Sequence, residues 1–306
     1  MISEQMSRII DGQIALRERL AGRTVELGER RRRMQMGAER MPAPVHVSVE
    51  LIDVDGVTCE WIRPAAIADG RVVVYFHGGG YAVGGLDTHR KMIGFLATAT
   101  GLAALSVGYR LAPEHPYPAA LEDGIQVLSW IRANRGVAAT DLVVAGDSAG
   151  GSLAVATCLA ARDNGWPMPG ALVLLSPWLD LAAPEASVSD AAIDDPIVSR
   201  ANLHELRDWY VGDADPTAPL VSPLRADLAG LPPTLIHVGQ RELLCADAVR
   251  FGDRLRADGV DALCEVWDGM VHVWHFFAGL APEADAAMRS IAEWLHALHR
   301  PDRPAR

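Results

Sequence analysis

The chain has 306 residues, 50% of them hydrophobic and 22% charged, with a formal net charge of −11. A chain of this length and composition buries a full core without disulfide or metal staples, which excludes disordered, collagen-like and disulfide-dependent classes. The acidic balance argues against a nucleic-acid binder, whose footprint is basic.

Residues 1–41 predict helix, because Ile2, Met6, Ile9, Ile10 and Ile14 recur at three- and four-residue steps. Gly22 and Gly28 interrupt that pattern and predict two helices, ended by Met41-Pro42-Ala43-Pro44. Arg30-Arg31-Arg32-Arg33 is the one basic run, read as a solvated helix face in a chain whose only lysine is Lys91. No apolar segment opens the chain, so no signal peptide is expected and a cytoplasmic location is.

Val45, Val47, Val49 and Leu51 alternate with polar residues and predict a half-buried strand. A turn at Asp53-Val54-Asp55-Gly56 leads to a second strand over about 57–63, antiparallel to the first. Solid apolar runs then alternate with helical stretches: Val72–Phe76, Ala103–Val107, Leu142–Ala145, Ala171–Leu175, Thr234–Val238 and Ala262–Trp267. Such runs predict a mostly parallel sheet of eight strands with helices on both faces. The uncharged stretch Met92–Tyr109 is long enough to raise a membrane span, but Gly101 divides it into a helix and a buried strand. Residues 177–233 are too long for a plain crossover and predict an inserted subdomain.

The strand Leu142–Ala145 runs into Gly146-Asp147-Ser148-Ala149-Gly150 and then a helical pattern. This is G-x-S-x-G in the strand-to-helix context of a nucleophile elbow, with Ser148 as the nucleophile. The strand Val72–Phe76 ends in His77-Gly78-Gly79-Gly80. Consecutive glycines let backbone N–H groups approach a developing oxyanion, together with the N–H of Ala149.

A serine nucleophile needs a base, and the base an orienting acid, in the chain order Ser, acid, His. His272 follows the last strand in Gly269-Met270-Val271-His272 and is preferred to His275. His237 lies within a strand and reads as a core histidine; His296 and His299 read as surface residues of the last helix. Two carboxylates follow the strand Thr234–Val238. Spacing favours Glu242, near the strand end, and leaves Asp247 as the alternative acid. No metal spacing occurs, the four cysteines form no CxxC pair, and no G-x-G-x-x-G is present, so neither a metal nor a nucleotide cofactor is expected.

These motifs, with Tyr109-Arg110-Leu111-Ala112-Pro113-Glu114-His115, resemble those of the bacterial hormone-sensitive-lipase-like esterases, family IV of the lipolytic enzymes, and keep that family's order over residues 72–277. The resemblance implies an α/β-hydrolase fold and hydrolysis of carboxylic esters without a cofactor. It implies a helical cap built from residues 1–41 and the 177–233 insertion of a catalytic domain spanning 42–306. It implies Gly78, Gly79 and Ala149 as oxyanion donors. It gives supporting roles to His77, Gly80, Asp147, Tyr109 and Glu114, chiefly in holding the glycine loop. Many members carry Asp-Pro-Leu after the acid strand, where this chain has Glu242-Leu243-Leu244. The expected partner is a small ester of short acyl chain, with Trp209 and Tyr210 as pocket walls. No nucleic acid and no stable membrane insertion are expected, and a homodimer is allowed. An arylformamidase on the same scaffold and a non-catalytic receptor are the alternatives.

Overall fold

The computed structural model describes residues 2–67, 70–182 and 194–298. In chain order the elements are α1 (Glu4–Leu20), α2 (Leu27–Glu39), β1 (Val47–Val54), β2 (Val57–Pro64), β3 (Val72–Phe76), α3 (Leu86–Thr100), β4 (Ala103–Val107), α4 (Ala119–Arg135), β5 (Leu142–Asp147) and α5 (Ala149–Asp163). They continue with β6 (Ala171–Leu175), α6 (Arg200–Val211), β7 (Thr234–Gly239), α7 (Cys245–Ala257), β8 (Ala262–Trp267) and α8 (Pro282–Leu298). The eight strands form one sheet in the order β1-β2-β4-β3-β5-β6-β7-β8. Only the β1–β2 and β2–β4 pairings are antiparallel.

The solid apolar runs are explained by two cores, one on each face of the sheet. Val72, Val74 and Phe76 of β3 point into one, with Leu153 of α5 and Phe251 of α7. Val73 and Tyr75 point into the other, with Ile93 of α3 and Ile291 of α8. A strand covered on both faces has no polar side, so its sequence does not alternate. β8 departs from that expectation: it is the sheet edge, and Leu263 and Val266 are exposed. Gly101 ends α3 with φ +69° and its N–H bonded to Ala97, so the uncharged 92–109 stretch is indeed a helix, a break and a strand. Among the described residues no helix is long and apolar enough to cross a membrane.

The N-terminal helices divide differently from the sequence expectation. The break lies at 21–26, and Gly28 sits inside the first turn of α2. α1 is part of the core layer: Met6 and Ile10 are buried against the α3–α8 face. Ser3 caps α1 and binds Glu283 of α8 through both its N–H and its hydroxyl. α2 buries no residue and is held by its arginines. Arg32 and Arg33 pair with Glu29 and fit the solvated face. Arg30 and Arg31 do not. Arg30 bonds Asn202 and Glu205 of α6 and lies over the Trp209 ring. Arg31 bonds the carbonyls of Ala82 and Ala112 and both oxygens of Glu114.

Between β6 and β7 the described residues carry one α-helix, α6, and it sits on the glycine loop. Tyr210 stacks on Tyr81 at 3.5 Å between ring centroids. A Cβ built on Gly80 would lie 2.4 Å from Leu206 Cδ1. Residues 183–193 of the expected insertion, and His299, lie outside the described residues.

Candidate active site

β5 ends at Asp147 and α5 begins at Ala149, which leaves Ser148 alone in the turn with φ +51° and ψ −121°. L-residues rarely adopt such a backbone, and it persists where the surroundings hold it. Ser148 N–H donates to Leu175 at 2.9 Å, and its carbonyl accepts from Trp178 at 3.0 Å. The flanking glycines are steric requirements. A Cβ on Gly146 would lie 2.3 Å from the Gly150 carbonyl oxygen, and one on Gly150 would lie 2.1 Å from that of Phe76. Gly150→Ala is therefore expected to cost about 3 kcal/mol or more in urea unfolding, at the upper end of overpacking penalties. A loss below about 1 kcal/mol would show that the turn relaxes easily.

The structure brings Ser148, His272 and Glu242 together. His272 Nε2 lies 3.0 Å from Ser148 Oγ, and His272 Nδ1 lies 2.9 Å from Glu242 Oε2. Glu242 is fully buried, and its other oxygen accepts from Ser176 Oγ at 2.7 Å and from Gly239 N–H at 2.5 Å. Burial pushes Glu242 above the usual carboxylate range, against the pull of the His272 and Ser176 bonds. Burial also opposes a charge on His272, but the Glu242 bond and charge, with the charges of Asp195 and Asp147, together outweigh it, and His272 is held above the ordinary imidazole value. Asp247, the alternative acid, is the third residue of α7 and pairs with Arg250 at 3.1 Å.

The other histidines are placed elsewhere. His275 is buried in the turn after His272, and its Nε2 lies 3.2 Å from Nδ1 of the core residue His237. Burial lowers both below the ordinary imidazole value, His275 well below it. His296 is exposed and reaches the Thr100 carbonyl at 3.2 Å.

The glycine loop is braced by a buried polar network. Asp147 Oδ1 accepts from Tyr75 OH at 2.9 Å and from Gly78 N–H at 3.0 Å, and Oδ2 lies 3.4 Å from His89 Nε2. His77 bonds the Gly78 carbonyl at 2.8 Å and stacks on Tyr109, whose hydroxyl donates to the His77 carbonyl at 2.7 Å. Burial and the neighbouring His89 push His77 down to about 3, so it stays neutral.

This network corrects one expectation. The Gly78 N–H is committed to Asp147, so it is not available to an oxyanion. The N–H groups of Gly79 and Gly80 have no partner among the described residues. Ala149 opens α5, where the first N–H groups have no partner within the helix. A second correction concerns Glu114. It pairs with Arg31 at 2.7 Å and is held at about 2, so it ties α2 down rather than supporting the glycines directly. Trp209 carries the Arg30 guanidinium over its ring, and Tyr210 packs on the glycine loop.

Two participants had escaped sequence reasoning. Ser176 follows the buried run of β6 and, at φ +48°, bridges Glu242 and the Val273 N–H, 3.1 Å away. Its position at a carboxyl strand edge was the available signal. Asp195 stands in a Pro- and Asp-rich segment with no periodicity, and its Oδ2 accepts the Leu243 N–H at 3.0 Å.

Comparison with known proteins agrees with this architecture. A model of the α/β hydrolase fold family matches residues 73–276. An acetyl-hydrolase of Streptomyces hygroscopicus is 39% identical over 246 residues, 80% of this chain and 82% of that protein. A carboxylesterase of Mycobacterium tuberculosis is 35% identical over 287 residues, 88% of each chain. The crystal structure of an esterase from the bacterial hormone-sensitive lipase family has a TM-score of 0.90 at 42% identity, covering 96% of this chain and 98% of that one. The chain belongs to the α/β-hydrolase fold family, in the group of bacterial hormone-sensitive-lipase-like carboxylesterases.

Proposed function

We propose that this carboxylesterase hydrolyses short-chain acyl esters with Ser148 as nucleophile, His272 as general base and acid, and Glu242 as the orienting carboxylate. The observation that carries the reading is the unbroken hydrogen-bond line from Ser148 Oγ through His272 to Glu242 Oε2. His272 Nε2 takes the hydroxyl proton as Oγ attacks the ester carbonyl. The N–H groups of Gly79, Gly80 and Ala149 take the oxyanion charge. His272 returns the proton to the departing alcohol, and water then repeats the sequence on the acyl-serine. Glu242 keeps the proton of neutral His272 on Nδ1 and steadies the imidazolium.

The short acyl preference rests on the closeness of the cap. Leu206 of α6 leaves no room for a Cβ on Gly80, beside the proposed oxyanion donors. The relative from Streptomyces hygroscopicus bears the name acetyl-hydrolase. p-Nitrophenyl esters from acetate to palmitate, with formanilide beside them, test the reading. kcat/KM is expected to peak between about two and eight acyl carbons and to fall about tenfold or more beyond. A maximum on palmitate would refute the short-chain preference. Formanilide turnover exceeding that of every ester would give the site to amide hydrolysis instead.

A further inference from the structure

Asp195 is a further carboxylate brought to this site, besides Glu242 and Asp147. It is 5% exposed and comes from the connection between β6 and α6. Its Oδ2 accepts the N–H of Leu243, the residue after Glu242, at 3.0 Å. Its Oδ1 accepts the N–H groups of Ile197 and Val198 at 2.8 and 2.9 Å. Both oxygens are thus used, one on the cap connection and one on the acid turn. The cap connection is in turn tied to α1: Arg17 pairs with Asp194 and donates to the Asp195 carbonyl at 3.1 Å. α1 is itself anchored in the core by Met6 and Ile10.

We infer that Asp195 is a positioning residue for the catalytic acid, through which α1 and the cap connection set the turn that carries Glu242. The inference rests on the triad reading above. A carboxyl oxygen of Glu242 sits 2.9 Å from His272, and a turn displaced by a fraction of an ångström lengthens that bond. The Asp195 bond to Leu243 N–H resists such a displacement directly, one residue away. Asp195 also acts by its charge, because it lies close enough to favour the protonated forms of both His272 and Glu242. The charged and titratable groups facing His272 are Glu242 from the turn after β7, Asp195 from the cap connection, Asp147 from the end of β5, and His275 from its own loop. Asp195 bonds the backbone of Ile197, Val198 and Leu243 rather than His272, Ser148 or the oxyanion donors, and it can be altered without removing a member of the triad.

The sign of the charge effect follows. The base works as neutral imidazole, so kcat/KM falls as pH drops through the His272 pKa. A nearby negative charge raises that pKa, and removing it moves the acid limb of the profile to lower pH. A purely structural bond would leave the limb in place.

The test uses the full chain as wild type, Asp195→Asn and Asp195→Ala, with p-nitrophenyl butyrate as substrate and kcat scaled to the enzyme labelled by a fluorophosphonate. Asp195→Asn is close to isosteric and keeps one acceptor, so it guards against a failure of Asp195→Ala to fold. Asp195→Ala is expected to lower kcat about 10- to 100-fold with KM changed by less than about threefold. Asp195→Asn is expected to lose less kcat but to show the same downward shift of the acid limb. Wild-type kcat per labelled enzyme and an unmoved limb in Asp195→Asn would overturn the role of Asp195 while leaving the triad standing. A wild-type enzyme that is active but takes no label on Ser148 would overturn the triad reading, and Asp195 with it.

Discussion

Ser148→Ala is expected to lower kcat on p-nitrophenyl butyrate by about 10⁶-fold, the scale seen when the nucleophile of a serine triad is removed. The residual rate is that of the oxyanion donors and of substrate binding, about 10³-fold or more above water. The fold should not suffer. Ser148 bonds the frame through its backbone, to Leu175 and Trp178, and those bonds do not need the hydroxyl. Only the Oγ contact to His272 is lost. Retention of a tenth of the wild-type kcat would refute the assignment. Ser148→Gly makes a complementary prediction. At φ +51° a side chain is strained, and glycine relieves about 1 kcal/mol or more. Its unfolding midpoint in urea should therefore rise as its activity vanishes, the trade expected where a strained residue is kept for chemistry. Equal loss of stability and activity would mean that the hydroxyl has a structural duty.

How much of this was legible in the sequence depends on how local each feature is. The strands β3, β4 and β6 fall where their apolar runs predicted, because an interior strand is apolar from one end to the other. β5 and β7 run on into Asp147 and Gly239, since a ladder continues past the last apolar residue wherever backbone groups still pair. The elbow and the glycine loop were legible because their backbone demands glycine at fixed positions. Long-range polar contacts were not. Nothing near Gly78 in the sequence tells that Asp147, 69 residues on, takes its N–H. Nor does the run Arg30–Arg33 reveal that two of its members reach α6 and Glu114 while the other two face solvent. Helix periodicity marked residues 1–41 but not their division of labour, in which α1 joins the core and α2 is pinned by charge.

Glu242→Gln is the second large effect. Gln keeps the shape of the side chain, and its carbonyl oxygen still accepts from Ser176 Oγ and Gly239 N–H. Its amide then faces His272 Nδ1 as a donor. The imidazole must accept at Nδ1, so its proton moves to Nε2 and points at Ser148, where it cannot act as a base. The expected loss in kcat is about 10⁴-fold, roughly 5.5 kcal/mol of transition-state stabilisation. The pH dependence carries a second signature. Glu242 raises the His272 pKa, and the active base is the neutral form, so wild-type kcat/KM should fall with acid at a pH above the usual imidazole value of about 6.5. Removing the carboxylate charge lowers that pKa, and the residual activity of Glu242→Gln should hold to lower pH than the wild type. Asp247→Asn supplies the contrast. Asp247 pairs with Arg250 on α7, so its loss should touch stability and leave kcat within about threefold. A larger kcat loss in Asp247→Asn than in Glu242→Gln, at equal folding, would transfer the role of the acid to Asp247 and break the line of hydrogen bonds on which the mechanism rests.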